Sequence, residues 1–405
     1  MSNSSTLSMA PRVDLNVRPL GVALFLLVLG AWYLAQAVSG RQSALYIVGA
    51  LLGVALYHAA FGFTSAWRVF IADGRGAGLR AQMVMLAVGV ALFFPALAAG
   101  TLFGTPVTGL VQPAGTSVIF GAFIFGIGMQ LGGGCASGTL YTVGGGSTRM
   151  IVTLLFFIIG SLIGTAHMPF WTSMPQLAPL SAVKELGLAP ALALNWGIFA
   201  LIAFITIVVE KRRHGKLVPA HVQPPHRSPW LHGPWPLLAG ALALVVLNFA
   251  TLALSGRPWG VTSAFALWGA KAAAVMGIDT ASWTYWSTKA NAAALASPIS
   301  QDVTSVMDIG IVLGAMLAAA LAGRYAPVWR LPMRSLIAAI VGGLLLGYGA
   351  RLAYGCNIGA YFSGILSGSL HGWLWLVVAF IGNVVGTRLR PFFGLEVERL
   401  KPTAC

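Results

Sequence analysis

Charge is what this sequence has least of. Of its 405 residues only 8% are Asp, Glu, Lys or Arg, and just 9 are acidic. Soluble domains carry about 25% charged residues, which excludes a water-facing globular surface as the main environment. Cysteine is scarce too. Cys135, Cys356 and Cys405 form no C-x-x-C pair and no metal-ligand spacing, so neither a metal centre nor a bound cofactor is expected. No nucleotide-binding motif occurs, so ATP coupling within this chain is not expected. No A-x-A cleavage pattern follows the first apolar run, which therefore reads as a retained helix, not a signal peptide.

What the chain does have is apolar bulk and glycine: 58% hydrophobic residues and 50 glycines, with a mean hydropathy of +0.84. Membrane helices use glycine for close backbone approach, and irregular backbone lining a cavity needs it as well. The formal charge of +15 would suit a nucleic-acid partner. The Lys and Arg residues, however, sit in short loops beside apolar runs, a pattern that membrane topology explains better. The expected partner is the lipid bilayer, with no nucleic acid. His214, His221, His226 and His232 share one polar loop, read as a solvated linker rather than a metal site.

Apolar runs able to cross about 30 Å of hydrocarbon fall near 20–38, 44–60, 82–100, 117–133, 150–167, 190–209, 236–254, 303–322, 335–352 and 372–388. Four further stretches, 61–78, 134–148, 260–278 and 356–370, are apolar but broken by glycine. They read as re-entrant segments buried in protein, because lipid does not tolerate unpaired backbone groups. The expected fold is an all-α polytopic membrane protein of about ten spans. The Lys211–Arg227 cluster sets the cytoplasmic side, which places Arg12, Arg18, Arg68, Arg75, Arg80, Arg149, Arg324, Arg330, Arg334, Arg388 and Arg390 there too. Only Arg41 and Arg257 fall clearly outside, and both termini are expected in the cytoplasm of a bacterial inner-membrane protein. The domain reading is 1–43 for the N-terminal tail and an extra span, 44–209 and 234–390 for two membrane repeats, 210–233 for a basic linker and 391–405 for a tail.

The repeat rests on aligned residues. Phe61–Ala66 resembles Trp259–Ala264, and Gly121–Ser147 runs beside Gly342–Ser369. There Gly126, Gly128, Gly134, Cys135 and Gly138 meet Gly347, Gly349, Gly355, Cys356 and Gly359. Further on, Ile159–Thr165 meets Ile381–Thr387. Counting spans makes the repeats inverted, so an hourglass with a central constriction is expected, with the substrate path at the midplane. Half-helix N-termini at the breaks attract anions. The expected path residues are Cys135, Cys356, Gly62, Thr64, Ser65, Gly134, Ser137, Gly260, Thr262, Ser263, Gly355 and Asn357. The competing reading of these Gly and Ser residues is tight helix packing alone. Among charges in apolar sequence, Lys271 and Asp308 are candidates for charge coupling; Lys271 could equally snorkel and Asp308 pair with a cation. His58 and His167 fall at span ends.

With these motifs, GGGCASG (132–138), YGCNIG (354–359) and the two G-x-T-S-A segments (62–66 and 260–264), the chain resembles the YeeE/YedE sulfur-transport family over roughly residues 44–390. Studied members of that family take up thiosulfate through an hourglass of helices and half-helices lined by cysteines, and Cys135 and Cys356 match two of those cysteines. The family's first segment commonly reads G-R-F-C-F-T-S-A, whereas this chain has Gly62 in place of that third cysteine. The resemblance implies a transporter, not an enzyme, for a small sulfur-containing anion, thiosulfate first, with a cytoplasmic sulfur-carrier protein as a candidate partner. Sulfite or a selenium species is the alternative cargo. A membrane thiol oxidoreductase and a channel-like scaffold are the alternative classes.

Overall fold

The computed structural model of the chain describes residues 15–219 and 228–399. Arg12, His221, His226, Arg227 and Cys405 lie outside the described residues. Ten helices among the described residues are long and apolar enough to cross a membrane. They are α1 (Val17–Ala37), α2 (Gly40–His58), α4 (Ala77–Ala99), α5 (Thr116–Gly132), α7 (Thr148–Thr172), α9 (Leu188–His214), α11 (Leu237–Ser255), α14 (Val303–Leu321), α15 (Met333–Leu352) and α17 (Leu370–Leu389). Each falls on one of the ten expected runs, extended by a few residues. The protein is therefore a multi-pass helical membrane protein.

The four glycine-broken stretches each hold a short helix: α3 (Phe63–Asp73), α6 (Ala136–Gly144), α12 (Thr262–Val275), and a wide π-type turn at Asn357–Phe362 running into α16 (Ser363–Leu366). The remaining short helices are α8 (Ala182–Leu186), α10 (Pro229–His232) and α13 (Lys289–Ala296). Among the described residues, strand is confined to two antiparallel pairs, Thr101–Leu102 with Thr105–Pro106 and Ala114–Gly115 with Gln176–Leu177. The segment between α12 and α14, which carries α13, was not foreseen from hydropathy.

Helix packing follows the small residues. In α2, Gly49 and Gly53 face Met307 and Ile311 of α14; in return, Gly310 and Gly314 face Tyr46 and Ala50. Two G-x-x-x-G faces thus meet, and close van der Waals contact of this kind drives helix association where lipid supplies no hydrophobic force. The aligned glycines meet crosswise as well. Gly126 of α5 touches Gly382 of α17, and their counterparts Gly347 of α15 and Gly160 of α7 touch each other. Gly128 opposes Gly342 while Gly349 opposes Gly121.

The same exchange appears among several other neighbours. Helix α2 lies on α14 as α11 lies on α4; α3 lies on α17 as α12 lies on α7; α6 lies on α14 as α16 lies on α4. Even α1, against α14, has a counterpart in α9 against α4.

A side chain at Gly314 would run into the backbone of Ala50, whereas one at Gly21 of α1 would meet nothing within 4 Å. Gly314→Leu should therefore destabilise the protein by about 3 kcal/mol or more, the overpacking range of a tight core. Gly21→Ala should leave thermal unfolding in detergent unchanged or slightly raised.

Candidate functional site

Glycine sets both cysteines in place. Helix α5 stops because Gly133 turns into the left-handed region (φ 94), and Cys135 follows as the extended N-cap of α6 (φ −80, ψ −171). In the second half Gly355 takes φ 151, open in practice only to glycine, and Cys356 is the extended N-cap of the next helical turn (φ −107, ψ −166). Both thiols are buried and unpaired. Cys135 Sγ lies 3.4 Å from Ser137 Oγ, and Cys356 Sγ accepts from the Ile358 amide at 3.4 Å. Helix α6 touches the π-type turn, and the two thiols are within electrostatic reach of each other.

The other two breaks join them. Phe63, at the start of α3, meets the Tyr361 ring edge-on at 5.9 Å. Ahead of α12, the Trp259 carbonyl accepts from Ser363 Oγ at 2.7 Å, while Thr262 Oγ1 accepts from Arg351 Nη2 at 3.1 Å. Four segments far apart in sequence thus converge on one region.

Two cavities flank that region. One, of about 720 Å³, is lined by Gly260, Thr262, Ser263, Gly355, Gly359 and Arg351 among others. The second, of about 560 Å³, is lined by Gly62, Ser65, Gln82, Arg75 and Arg324 among others. The Cys356 segment touches the walls of both. Gly355 and Gly359 face the first cavity, and the Tyr361 hydroxyl reaches Gln82 Oε1 on the wall of the second at 3.4 Å. Phe63, Trp67, Phe125, Tyr361 and Trp375 fill the space around it; Tyr361 stacks on Trp375 with ring planes 9° apart.

Of the residues expected on the path, Gly260, Thr262, Ser263 and Gly355 line the first cavity and Gly62 and Ser65 the second. Cys135, Gly134, Ser137, Cys356, Asn357 and Thr64 line neither; they are buried. Several carry polar atoms with no protein partner: Thr64 Oγ1 and both amide atoms of Asn357. Asp308, wholly buried on α14, also has neither oxygen hydrogen-bonded, and it lies within electrostatic reach of Cys356. Lys271 stands apart. Its ammonium caps the end of α13 on the carbonyls of Leu295 (2.7 Å) and Ser297 (2.8 Å) and lines neither cavity.

Sequence reasoning passed over Gln130 and Arg351. The repeat alignment pairs them, each five residues before its cysteine. Gln130 donates to the Thr64 carbonyl (3.3 Å) and to Asn383 Oδ1 (2.6 Å), as Arg351 donates to Thr262. Around Gln130 the chain's end closes in. Arg390 donates to the Gln130 carbonyl (2.6 Å), and Arg68, 3.4 Å from Gln130 Oε1, pairs with Glu398 at 2.5 Å.

Comparison with known proteins identifies the family. The chain matches the family described as sulphur transport over residues 58–385. It is 30% identical over 360 residues to the thiosulfate transporter TsuA of Spirochaeta thermophila, covering 83% of this chain and 95% of that one. Identity to the thiosulfate transporter TsuA of Escherichia coli is 26% over 355 residues, 83% of this chain and 91% of that one. A shorter match, 32% over 179 residues, links it to the probable transporter YedE of Escherichia coli and spans 43% of each chain.

Glu398 gives the tail contact a pH dependence. Burial opposes its charge, but the hydrogen bonds and attraction of Arg68 outweigh burial and hold its carboxyl below the usual range. A depressed carboxylate stabilises docking at pH values above its unfolded pKa, about 4.3, and that contribution fades as pH falls through the folded value. Hydrogen exchange at residues 395–399, corrected for intrinsic rate, should therefore be protected at pH 7 and lose protection on acidification. Glu398→Gln should be weakly protected at both.

Proposed function

The chain belongs to the sulphur-transport family, and on that footing we propose that it takes up a small sulfur-containing anion, thiosulfate first, across the bacterial inner membrane. The observation that carries this reading is the pair of cavities bordered by the glycine-broken segments, with Cys356, Cys135 and unsatisfied polar groups of those segments buried beside them. Relatives named as thiosulfate transporters support the cargo. We read the chain as a transporter and not an enzyme.

The ion enters one cavity, is guided by the hydroxyls of Thr262 and Ser263, and passes the constriction at Cys356 and Cys135. A thiol is a weak donor with a polarizable sulfur, suited to a soft terminal sulfur atom. The passage is by S–H···S contact, with no bond made or broken. Thr64, Asn357 and Ser137 supply further polar contact, and Gly134 lets the backbone approach closely. On the far side Gly62 and Ser65 open to the second cavity. Gly62 supplies no thiol, so two cysteines serve here.

The reciprocal glycine contacts support an inverted repeat of five spans in each half. The pairing of α1–α14 with α9–α4 favours counting α1 in the first half and α9 in the second, in place of the reading that left α1 as an extra span and α9 within 44–209. An odd number of spans reverses the second half by itself, and the breaks then enter from opposite sides. By the positive-inside rule, the basic residues Lys211, Arg212 and Arg213 favour a cytoplasmic linker, and with it cytoplasmic ends. There the Gly62 cavity delivers its ion, to a sulfur-carrier protein where one is present.

Asp308 supplies the coupling. A buried carboxyl without partners is a site for a proton that moves with the ion.

Labelled thiosulfate uptake by a sulfur-starved host tests the reading. Cys135→Ala or Cys356→Ala should abolish uptake with membrane insertion intact, and unimpaired transport by the double variant would sink the thiol path. Competition by sulfite and selenite decides the cargo: a competitor stronger than thiosulfate itself would replace it as substrate. Asp308→Asn should lower uptake and abolish its response to an imposed pH gradient, while thiosulfate binding persists. A gradient response equal to wild type would remove Asp308 from the coupling.

A further inference from the structure

Three arginines among the described residues are buried: Arg68, Arg351 and Arg390. Two have partners that answer their charge. Arg68 pairs with Glu398, and Arg390 donates to the carbonyls of Gln130 and Glu396. Arg351 has neither carboxylate nor carbonyl. It donates from Nη1 to the Tyr285 hydroxyl (2.9 Å) and from Nη2 to the Thr262 hydroxyl (3.1 Å), and its Nε is buried with no acceptor. A guanidinium has five N–H donors and keeps its charge in any protein site. Taking such a charge out of water without an opposite one is costly.

The surroundings are shaped around this cation. Gly164 of α7 leaves room for its stem, since a side chain there would meet Arg351 Cβ at 2.7 Å. Tyr285 belongs to the segment between α12 and α14, residues 276–302, whereas the equivalent link between α3 and α4 is only Gly74–Gly76. The extra length thus brings a hydroxyl to hold the guanidinium and a wall for its cavity. Arg351 lines the cavity of about 720 Å³ together with Gly355 and Gly359, which flank Cys356. Asp302 is the one carboxylate among the lining residues, and it is engaged as the N-cap of α14, accepting from the Ser305 amide at 2.7 Å.

We propose that Arg351 is the anion-receiving group of this cavity: the transported sulfur oxyanion supplies the missing counter-charge, held by the guanidinium beside Thr262 before it reaches Cys356. This deepens the transport reading and rests on it. The oxygens of a thiosulfate-like ion accept from the free N–H groups, which leaves its terminal sulfur for the thiol. One residue then recognises the charged end and another the soft end. Neutral sulfur compounds are excluded at the first step.

Isothermal titration of the purified, detergent-solubilised protein with sodium thiosulfate tests the assignment. Arg351→Gln should bind about 30-fold more weakly, the loss expected when a charge-assisted contact becomes a neutral one. Arg351→Lys, which keeps the charge without the fork, should fall between the two. Tyr285→Phe keeps the cation and should lose no more than about fivefold. Equal affinity of wild type and Arg351→Gln overturns the proposal. If that variant does not elute as a folded species, Arg351→Lys decides, and wild-type affinity in it overturns the proposal equally. A wild-type protein that binds and transports no sulfur anion removes the transport reading itself.

Discussion

Lipid hydrocarbon gives two apolar helices no reason to prefer each other over their solvent. Association must come from atomic contact close enough to outweigh what lipid tails offer, which is why so much depends on backbone reaching backbone. In this protein the contact is made by glycine on glycine: Gly126 with Gly382, Gly160 with Gly347, and the paired faces of α2 and α14. These crossings bring α5, α7, α15 and α17 into one block. Both cysteine segments hang from the ends of that block, because α6 continues from α5 and the Cys356 turn continues from α15.

Close crossings also make the breaks possible. A helix interrupted at membrane depth leaves amides and carbonyls that lipid cannot satisfy. Here side chains from neighbouring helices take them up. Asn248 accepts from the Trp259 amide, Ser363 donates to the Trp259 carbonyl, and Gln130 donates to the Thr64 carbonyl. Among the side chains with a polar atom left without a partner are Thr64, Asn357, Asp308 and Arg351.

The two halves use one scaffold for different electrostatics. Five residues ahead of each cysteine stands a polar residue reaching the next break, a neutral Gln130 in one half and a cationic Arg351 in the other. On the Gln130 side the nearby positive charge of Arg68 is answered by the chain's own Glu398. On the Arg351 side no carboxylate among the described residues pairs with the guanidinium. If Arg351 receives the anion as proposed, this asymmetry favours capture on its side and release on the other.

Much of this was legible in the sequence because the membrane imposes simple rules. A run of apolar residues long enough to cross must be helical, so all ten spans could be read from hydropathy, to within a few residues at most ends. Aligned glycines and the two cysteines exposed the repeat, since only small residues survive at close crossings. The segment from 276 to 302 was not legible, for its short helix and loops carry no span-length signal. Nor was the role of any single polar residue. Lys271 and Arg351 look alike as isolated cations in apolar sequence, yet one caps α13 while the other stands uncompensated on a cavity wall. Composition and periodicity determined the solvent, the helices and the repeat, because those depend on residues near in sequence. Which charges find partners depends on residues up to hundreds of positions apart, such as Arg68 and Glu398, and only tertiary packing decides it.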